Sequence, residues 1–286
     1  MATNDKLIKV TDLKKHYNRG AIKALDGVTV DINKGDVMVV IGPSGSGKST
    51  FCLMMASWLR YKVGARVAVL DLDDPMHSIN ELRQVDLDCM KSSSKELLRF
   101  VPQDCVPERD WYPVIPAAVD GGEKEQLMLE SLVRSLGGDY DYVLIDFGGS
   151  FSDGDAVIRF MRSHLLDLMV IPVYSDETVL LSALELCYGS DMIGQRKAVF
   201  WNRVTRSERP DGERDRLRPL SDLFTREGHA LLDTIIPDLV MFRRDPRTWR
   251  FIRSTACWPQ QNVDAICPDL ERLFSEVLSL LENRKQ

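Results

Sequence analysis

Six short apolar runs recur along the chain, and none of them alternates with polar residues. They are VMVVIG at 37–42, RVAVLDL at 66–72, YPVIP at 112–116, YVLIDF at 142–147, LMVIPV at 168–173 and KAVFWN at 197–202. Segments with helical spacing lie between most of them, including STFCLMMASWLRY, EKEQLMLESLVRSL and DETVLLSALELCYG. Continuous apolar strands that alternate with helices are typical of a parallel sheet buried on both faces. The pattern therefore predicts a doubly wound α/β fold.

Both ends of the chain follow different patterns. LIKVTDLKKHY and AIKALDGVTVDINKGD alternate apolar and polar residues around the turn-like NRG, which predicts short antiparallel strands on the edge of the main sheet. Near the other end, DLERLFSEVLSLLENRKQ has the stripe of a helix packed on the core, formed by Leu270, Leu273, Phe274, Val277, Leu278 and Leu281. We expect a small antiparallel β element at 1–36 and a larger α/β domain at 37–286.

Composition narrows the class of protein. The six cysteines form no C-x-x-C pair and the four histidines lie apart from them, which disfavours a zinc site or a disulfide framework. No run approaches the roughly 18 apolar residues of a membrane span, so we expect a cytoplasmic protein. The net charge is −6, yet one segment is basic and carries Arg243, Arg244, Arg247, Arg250 and Arg253. This segment would either contact DNA phosphates or form a solvated face.

The most specific motif is GPSGSGKS at 42–49, which fits the phosphate loop G-x-x-x-x-G-K-[ST] between a strand and a helix. Glycines at 42, 45 and 47 allow backbone N–H groups to turn toward a phosphate. Lys48 would reach the β- and γ-phosphates and Ser49 would bind Mg²⁺. The predicted nucleotide contacts are Gly42, Ser44, Gly45, Ser46, Gly47, Lys48, Ser49 and Thr50.

Carboxylates follow two of the predicted strands, where phosphoryl transfer requires them. Asp146 lies near the end of YVLIDFGG and is expected to act on Mg²⁺, because four apolar residues precede it and small glycines follow at 148 and 149. VAVLDLDDP carries Asp71, Asp73 and Asp74 at its end, and we expect Asp71 to contribute to the Mg²⁺ site together with Ser49 and Asp146. We expect Asp74 to cap the next helix.

From Leu7 to Thr50 the sequence resembles the start of an ABC-transporter ATPase of the amino-acid importer type. That resemblance implies that Tyr17 stacks on the adenine. An ABC ATPase also requires an LSGGQ signature and a catalytic Glu directly after Asp146, but Phe147 stands there and no such signature is present. Two copies of this chain would therefore not complete an ABC-type ATP sandwich.

From Phe51 onward, YKVGARVAVLDLDDPMHSI, YDYVLIDFGG, DLMVIPVYSDETVLLSALEL, VFWNRV, DTIIPD and FIRSTACWP resemble the ParA/MinD group of partition ATPases. That resemblance implies that Asp73, supported by Asp71, positions the attacking water and that Asp146 acts on Mg²⁺ through water. It also implies that Asn202 and the backbone around Pro237 border the adenine. ATP or ADP and Mg²⁺ would be the cofactors, and an ATP-dependent homodimer and non-specific DNA would be the partners.

One position departs from the ParA/MinD pattern. That family's loop reads K-G-G-x-G-K-[ST], and its first lysine crosses the dimer interface, whereas this chain has Pro43 there. We expect nucleotide binding to survive and dimer-linked hydrolysis to be weakened. The change of resemblance near residue 50 suggests a fusion, natural or designed, at a shared phosphate loop.

Three functions remain open on the sequence alone. The first is an ATP- and Mg²⁺-binding protein of the ParA type, a weak ATPase linked to DNA partitioning or transfer. The second is an ATP-binding subunit of an ABC transporter. The third is a chimeric scaffold that binds nucleotide without efficient hydrolysis.

Overall fold

The computed structural model describes most of the chain. It covers the backbone of 6–17 and 22–33, and then residues 35–92, 101, 104–118, 123–148, 160–161, 163, 165–188, 196–208, 217–225, 230–239, 254–258 and 267–282. The basic segment with Arg243, Arg244, Arg247, Arg250 and Arg253 lies outside the described residues.

The N-terminal segment forms a sheet of its own. Strands β1 (Lys6–Tyr17) and β2 (Ile22–Asn33) pair antiparallel, with several register shifts along the ladder. The antiparallel pairing is as predicted from the alternating pattern. Placement at the edge of the main sheet was wrong, because β1 and β2 pair with each other and with no other strand of the described residues. Each strand has 12 residues, so both are longer than the short strands expected from the sequence.

The main sheet has seven parallel strands in the order β5-β4-β6-β3-β7-β8-β9. The strands are β3 (Asp36–Val40), β4 (Val67–Leu72), β5 (Val114–Pro116), β6 (Tyr142–Phe147), β7 (Leu168–Val173), β8 (Lys197–Trp201) and β9 (Ala230–Leu231). All six predicted strands are confirmed, and the two-residue β9 is an addition. Strand β3 lies at the centre, so the phosphate loop that follows it emerges between the ends of β6 and β7.

Helices cover both faces of this sheet. They are α1 (Lys48–Trp58), α2 (Ser78–Lys91), α3 (Pro107–Asp110), α4 (Glu123–Asp139), α5 (Glu177–Tyr188), α6 (Leu217–Thr225) and α7 (Asp269–Glu282). Helix α1 continues into a π-helical turn, Leu59–Val63.

Alternate residues of the strands face two separate cores. Met38 and Val40 of β3 pack with α1 and α7, whereas Val37 and Val39 pack on the opposite face with α4, α5 and α6. The predicted apolar stripe of α7 is confirmed, with five of its six residues buried and Leu278 partly buried. Two buried faces explain why the central strands lack polar alternation.

Candidate active site

The phosphate loop joins the central strand β3 to helix α1. Gly45 and Gly47 have φ values of +75° and +101°, in the left-handed region that glycine adopts without a Cβ clash. Gly47 also precedes the first residue of α1. A Cβ on Gly47 would lie 2.4 Å from Nδ2 of Asn202, so both conformation and space require glycine there. The strand, loop and helix predicted from the motif are confirmed.

Lys48 lies inside this loop with its side chain largely buried. Its Nζ donates a hydrogen bond of 3.0 Å to the carbonyl oxygen of Pro43. Burial lowers the pKa of Lys48, while the charges of Asp146 and Asp73 act to raise it. The ammonium group is therefore held at the mouth of the loop, near two carboxylates.

Asp146 is the second buried charge of the site. Its carboxylate is fully buried at the end of β6, beside β3 in the register Val40–Asp146. Burial raises the pKa of Asp146 to about 7, the Ser49 hydroxyl and the charge of Lys48 lower it, and the charge of Asp71 raises it. Neither carboxylate oxygen accepts a hydrogen bond within 3.5 Å from the described residues. A hard cation would meet these oxygens and the Ser49 hydroxyl, which are ligands that Mg²⁺ prefers.

Asp71 of β4 faces the same side of the sheet as Asp146, its register partner on β6. Oδ2 of Asp71 accepts hydrogen bonds from the backbone N–H groups of Ile79 and Asn80, at 3.1 and 2.9 Å. Both N–H groups belong to the first turn of α2, where a helix leaves its donors unpaired. Asp71 thus fixes the start of α2, and its expected role toward Mg²⁺ stays a prediction.

The two carboxylates after β4 differ in their surroundings. Asp73 is half-buried, and a Cβ on Gly148 would lie 3.1 Å from its Oδ1, which places the carboxylate beside the end of β6. Asp74 is exposed, with Oδ1 3.3 Å from Nε2 of His77. The prediction that Asp74 caps α2 was wrong. His77 occupies the position before the helix, and Asp71 accepts the hydrogen bonds from the first N–H groups of α2.

A cavity of about 170 Å³ adjoins the loop and is lined by Gly45 and Gly47. Its walls are mostly apolar and include Phe51, Met54, Phe200, Ile236, Pro237 and Leu273, with Asn202, Arg203 and Asp238 as polar residues. Asn202 and Pro237, predicted to border the adenine, therefore lie together beside the loop. The Nδ2 group of Asn202 also donates to the carbonyl oxygen of Ser46 at 2.7 Å. Tyr17 is described only by its backbone in β1, and its side chain lies outside the described structure.

Sequence reasoning missed two residues of this site. Arg203 was not singled out, although it follows Asn202 directly and lines the cavity. The anchoring role of Asp71 was also missed, because its helical partners become apparent only when β4 and α2 are placed together. Arg203 could have been found from its position, because it directly follows Asn202 at the end of the predicted strand KAVFWN.

A model of one family, described as ATPase MipZ, matches residues 37–184, more than half of the chain. The matched segment runs from β3 through the phosphate loop, β4, α2, β6 and β7, and ends within α5. The chain belongs to the MipZ family. Its expected likeness to the ParA/MinD group is confirmed.

Solved structures share the fold that carries this MipZ-family site. The septum site-determining protein MinD of Pyrococcus horikoshii, complexed with Mg-ADP, is 16% identical with a TM-score of 0.52, covering 88% of this chain and 96% of MinD. The pNOB8 ParA bound to nonspecific DNA is 18% identical with a TM-score of 0.53, covering 88% and 100%. The MinC:MinD complex of Aquifex aeolicus is 20% identical with a TM-score of 0.52, covering 84% and 96%.

Curated relatives of this MipZ-family chain include ABC-type proteins, over shorter stretches. The xylose/arabinose import ATP-binding protein XylG of Sulfolobus acidocaldarius is 42% identical over 52 residues, 18% of this chain and 20% of XylG. The macrolide export protein MacB of Escherichia coli O157:H7 is 30% identical over 141 residues, 46% of this chain and 20% of MacB. The chain spans about half the length, or less, of the first relatives it matches.

No helix within the described ranges has both the length and the apolar character needed to cross a membrane. The cytoplasmic location expected from the sequence stays a prediction.

Proposed function

We propose that this chain binds an adenine nucleotide together with Mg²⁺ at the loop of residues 42–50 and hydrolyses ATP slowly. The observation that carries the proposal is the fully buried Asp146 carboxylate at the end of β6, which lies next to the Ser49 hydroxyl and the charge of Lys48. A buried carboxylate is costly without a counter-charge. A cation bound between Asp146, Ser49 and a nucleotide phosphate supplies that charge.

Each residue has a separate task in this proposal. The loop N–H groups and Lys48 bind the phosphates, while Ser49 and Asp146 hold Mg²⁺, directly or through water. Bound Mg²⁺ neutralises charge on the phosphate oxygens. Asp73, beside the end of β6, orients the attacking water, and Asp71 supports that arrangement by fixing α2.

The base belongs in the cavity beside the loop. Asn202 and Pro237 line it, and its apolar walls suit a purine ring. Tyr17 is the alternative contact for the base, in the manner of ABC ATPases. The strand that carries Tyr17, β1, belongs to the separate two-stranded sheet.

Slow hydrolysis follows from Pro43. An uncharged residue there leaves Lys48 as the only cation within GPSGSGKS. A cation that crosses a dimer interface is worth about 10³ to 10⁵ in rate, by analogy with arginine fingers. The scaffold alternative, which binds nucleotide without turnover, differs from this proposal only in the rate.

An ATPase assay with Mg²⁺ tests the proposal on the full chain, Lys48→Ala and Pro43→Lys. Turnover in the parent that Lys48→Ala abolishes supports a working ATPase. The matched control is Lys91→Ala, an exposed lysine at the end of α2, which should leave the rate unchanged. No turnover in the parent, with gain in Pro43→Lys, would favour the scaffold; no nucleotide binding at all would refute the proposal.

As partners we propose a second copy of the chain, in an ATP-dependent homodimer, and non-specific DNA. The DNA surface would include Arg243, Arg244, Arg247, Arg250 and Arg253, the basic segment of the sequence. The structure of pNOB8 ParA bound to nonspecific DNA, which has the same fold, supports this choice. Filter binding at two salt concentrations tests it, because phosphate contacts weaken as salt rises. Absence of salt-sensitive binding would exclude the DNA role. Unchanged binding when these arginines become glutamines would exclude the basic segment as the DNA surface.

A second candidate is an ATP-binding subunit of an ABC transporter, favoured by the local matches to XylG and MacB. It requires a signature motif and a catalytic Glu after Asp146, which the sequence lacks. Co-purification with a membrane permease would support this candidate.

A further inference from the structure

Arg203 has an unusual backbone conformation at the edge of the nucleotide cavity. It lies two residues after the end of β8, and its φ of +55° is in the left-handed region. Few residues other than glycine adopt this region, and they do so where surrounding contacts hold them there. The backbone N–H of Arg203 donates to Oδ1 of Asn202 at 3.0 Å, which is one such contact.

Two further contacts fix the guanidinium group against the phosphate loop. Nη1 of Arg203 donates to the carbonyl oxygen of Gly45 at 3.0 Å. The guanidinium carbon lies 4.5 Å from the ring centroid of Tyr174, within the range of a cation–π contact. Nε of Arg203 is buried and donates no hydrogen bond within the described part of the chain. A carbonyl dipole and an aromatic ring thus orient the cation without supplying a full negative charge.

The position of this cation matters for a phosphorylated ligand. Arg203 and Gly45 both line the cavity, whose wall also includes Pro237. The guanidinium therefore lies between the apolar wall of the cavity and the phosphate loop. The loop motif GPSGSGKS contains a single cation, Lys48, so Arg203 adds a second positive charge beside the loop. Among the residues that line the cavity, Asp238 carries a carboxylate.

We propose that Arg203 binds the phosphate chain of the nucleotide and is a second cation supplied by the same protomer. This inference rests on the proposed function and assigns a ligand-binding role to a residue outside the loop motif. An arginine that gains a phosphate partner forms charge-assisted hydrogen bonds, about twice as strong as neutral ones. Because its side chain is already oriented on Tyr174, it loses little rotamer freedom on binding.

The test measures the affinity of a fluorescent ADP analogue for the full chain with Mg²⁺, at low and high salt. Arg203→Gln is expected to weaken binding about tenfold at low salt and less at high salt, because salt screens the lost attraction. Arg203→Lys keeps the charge and should retain most of the affinity and the salt dependence. The matched control is Arg206→Gln, an exposed arginine three residues further on that does not line this cavity.

The possible results distinguish the role of Arg203 from the proposed function on which it rests. Unchanged affinity in Arg203→Gln, or a loss equal at both salt concentrations, would overturn the phosphate contact and leave a purely structural hydrogen bond to Gly45. A lower unfolding temperature of Arg203→Gln without nucleotide, with no salt-dependent loss of ADP affinity, would overturn it as well. Failure of the parent chain itself to bind ADP would instead refute the proposed function, and the role of Arg203 with it.

Discussion

The side-chain amide of Asn202 donates a hydrogen bond of 2.7 Å to the backbone carbonyl of Ser46. This bond joins the end of β8 to the phosphate loop, across 156 residues of sequence. The same amide nitrogen occupies the space that a Cβ on Gly47 would enter, at 2.4 Å. Asn202 therefore constrains the loop by a bond and by its volume, next to the cavity proposed for adenine.

Replacing Gly47 with alanine should abolish ADP binding. The new Cβ meets Asn202, and alanine at a φ of +101° is strained by about 1 to 2 kcal/mol. Binding of a fluorescent ADP analogue, with the unfolding midpoint in urea, would measure both effects. In Gly47→Ala/Asn202→Ala the clash is relieved, so the double variant should recover part of its stability.

Gly64→Ala is the matched control for the backbone strain. Gly64 has a φ of +85°, but apart from its chain neighbours no heavy atom of the described residues lies within 4 Å of the position of its Cβ. It should lose stability through φ alone and keep its ADP affinity. Equal losses of ADP binding in Gly64→Ala and Gly47→Ala would contradict the role given to Asn202.

Removal of the Asp71 carboxylate should loosen the start of α2. Asp71→Ala leaves the N–H groups of Ile79 and Asn80 without their acceptor, at a cost of about 1 to 3 kcal/mol in the free energy of unfolding. Asp71→Asn keeps one acceptor oxygen and should cost less. Urea denaturation measures these differences. Asp74→Ala, an exposed site beside it, should change stability by no more than about 0.5 kcal/mol, and a larger loss there would be inconsistent with this assignment.

The stability of the protein without nucleotide or Mg²⁺ should fall as the pH rises from about 4 to 7. Burial raises the pKa of Asp146 to about 7 from an ordinary value of 3.8, so the folded state binds a proton that the unfolded state has lost in this window. The free energy of unfolding then decreases with pH. Asp146→Asn cannot ionise and should lose this component of the slope. Identical pH profiles of the parent and Asp146→Asn would contradict the raised pKa.

A buried network ties α2 to the segment 254–258. Oδ2 of Asp86 accepts from Oγ of Ser254, and from the backbone N–H and Oγ1 of Thr255, at 3.1, 2.7 and 2.8 Å. Asp86→Ala leaves these buried donors unpaired and should lower the free energy of unfolding by about 2 to 4 kcal/mol. The exposed neighbour Asp88→Ala is the control and should have little effect in the same urea titration. A loss below about 1 kcal/mol for Asp86→Ala would show that the network contributes little.

The sequence predicts the strands of the main sheet well, because continuous apolar runs such as YVLIDF form only where both faces are buried. It predicts the loop too, since the glycine pattern constrains its backbone. Strand order does not follow from the same pattern, and β9 has only two residues and leaves no periodic signal. The role of Asp71 depends on a contact with Asn80, nine residues further along the chain, and that of Arg203 on a contact with Gly45, 158 residues away. The alternating pattern of β1 and β2 predicts that the two strands pair with each other. It does not predict whether they join the main sheet.

A structure of the chain with Mg·ADP would locate the base, the phosphates and the metal in one experiment. We expect the adenine in the cavity between Asn202 and Pro237, the phosphates in the loop of residues 42–50, and the metal between Ser49 and Asp146. Base density stacked on Tyr17 instead, or a metal ion away from Asp146, would contradict this expectation.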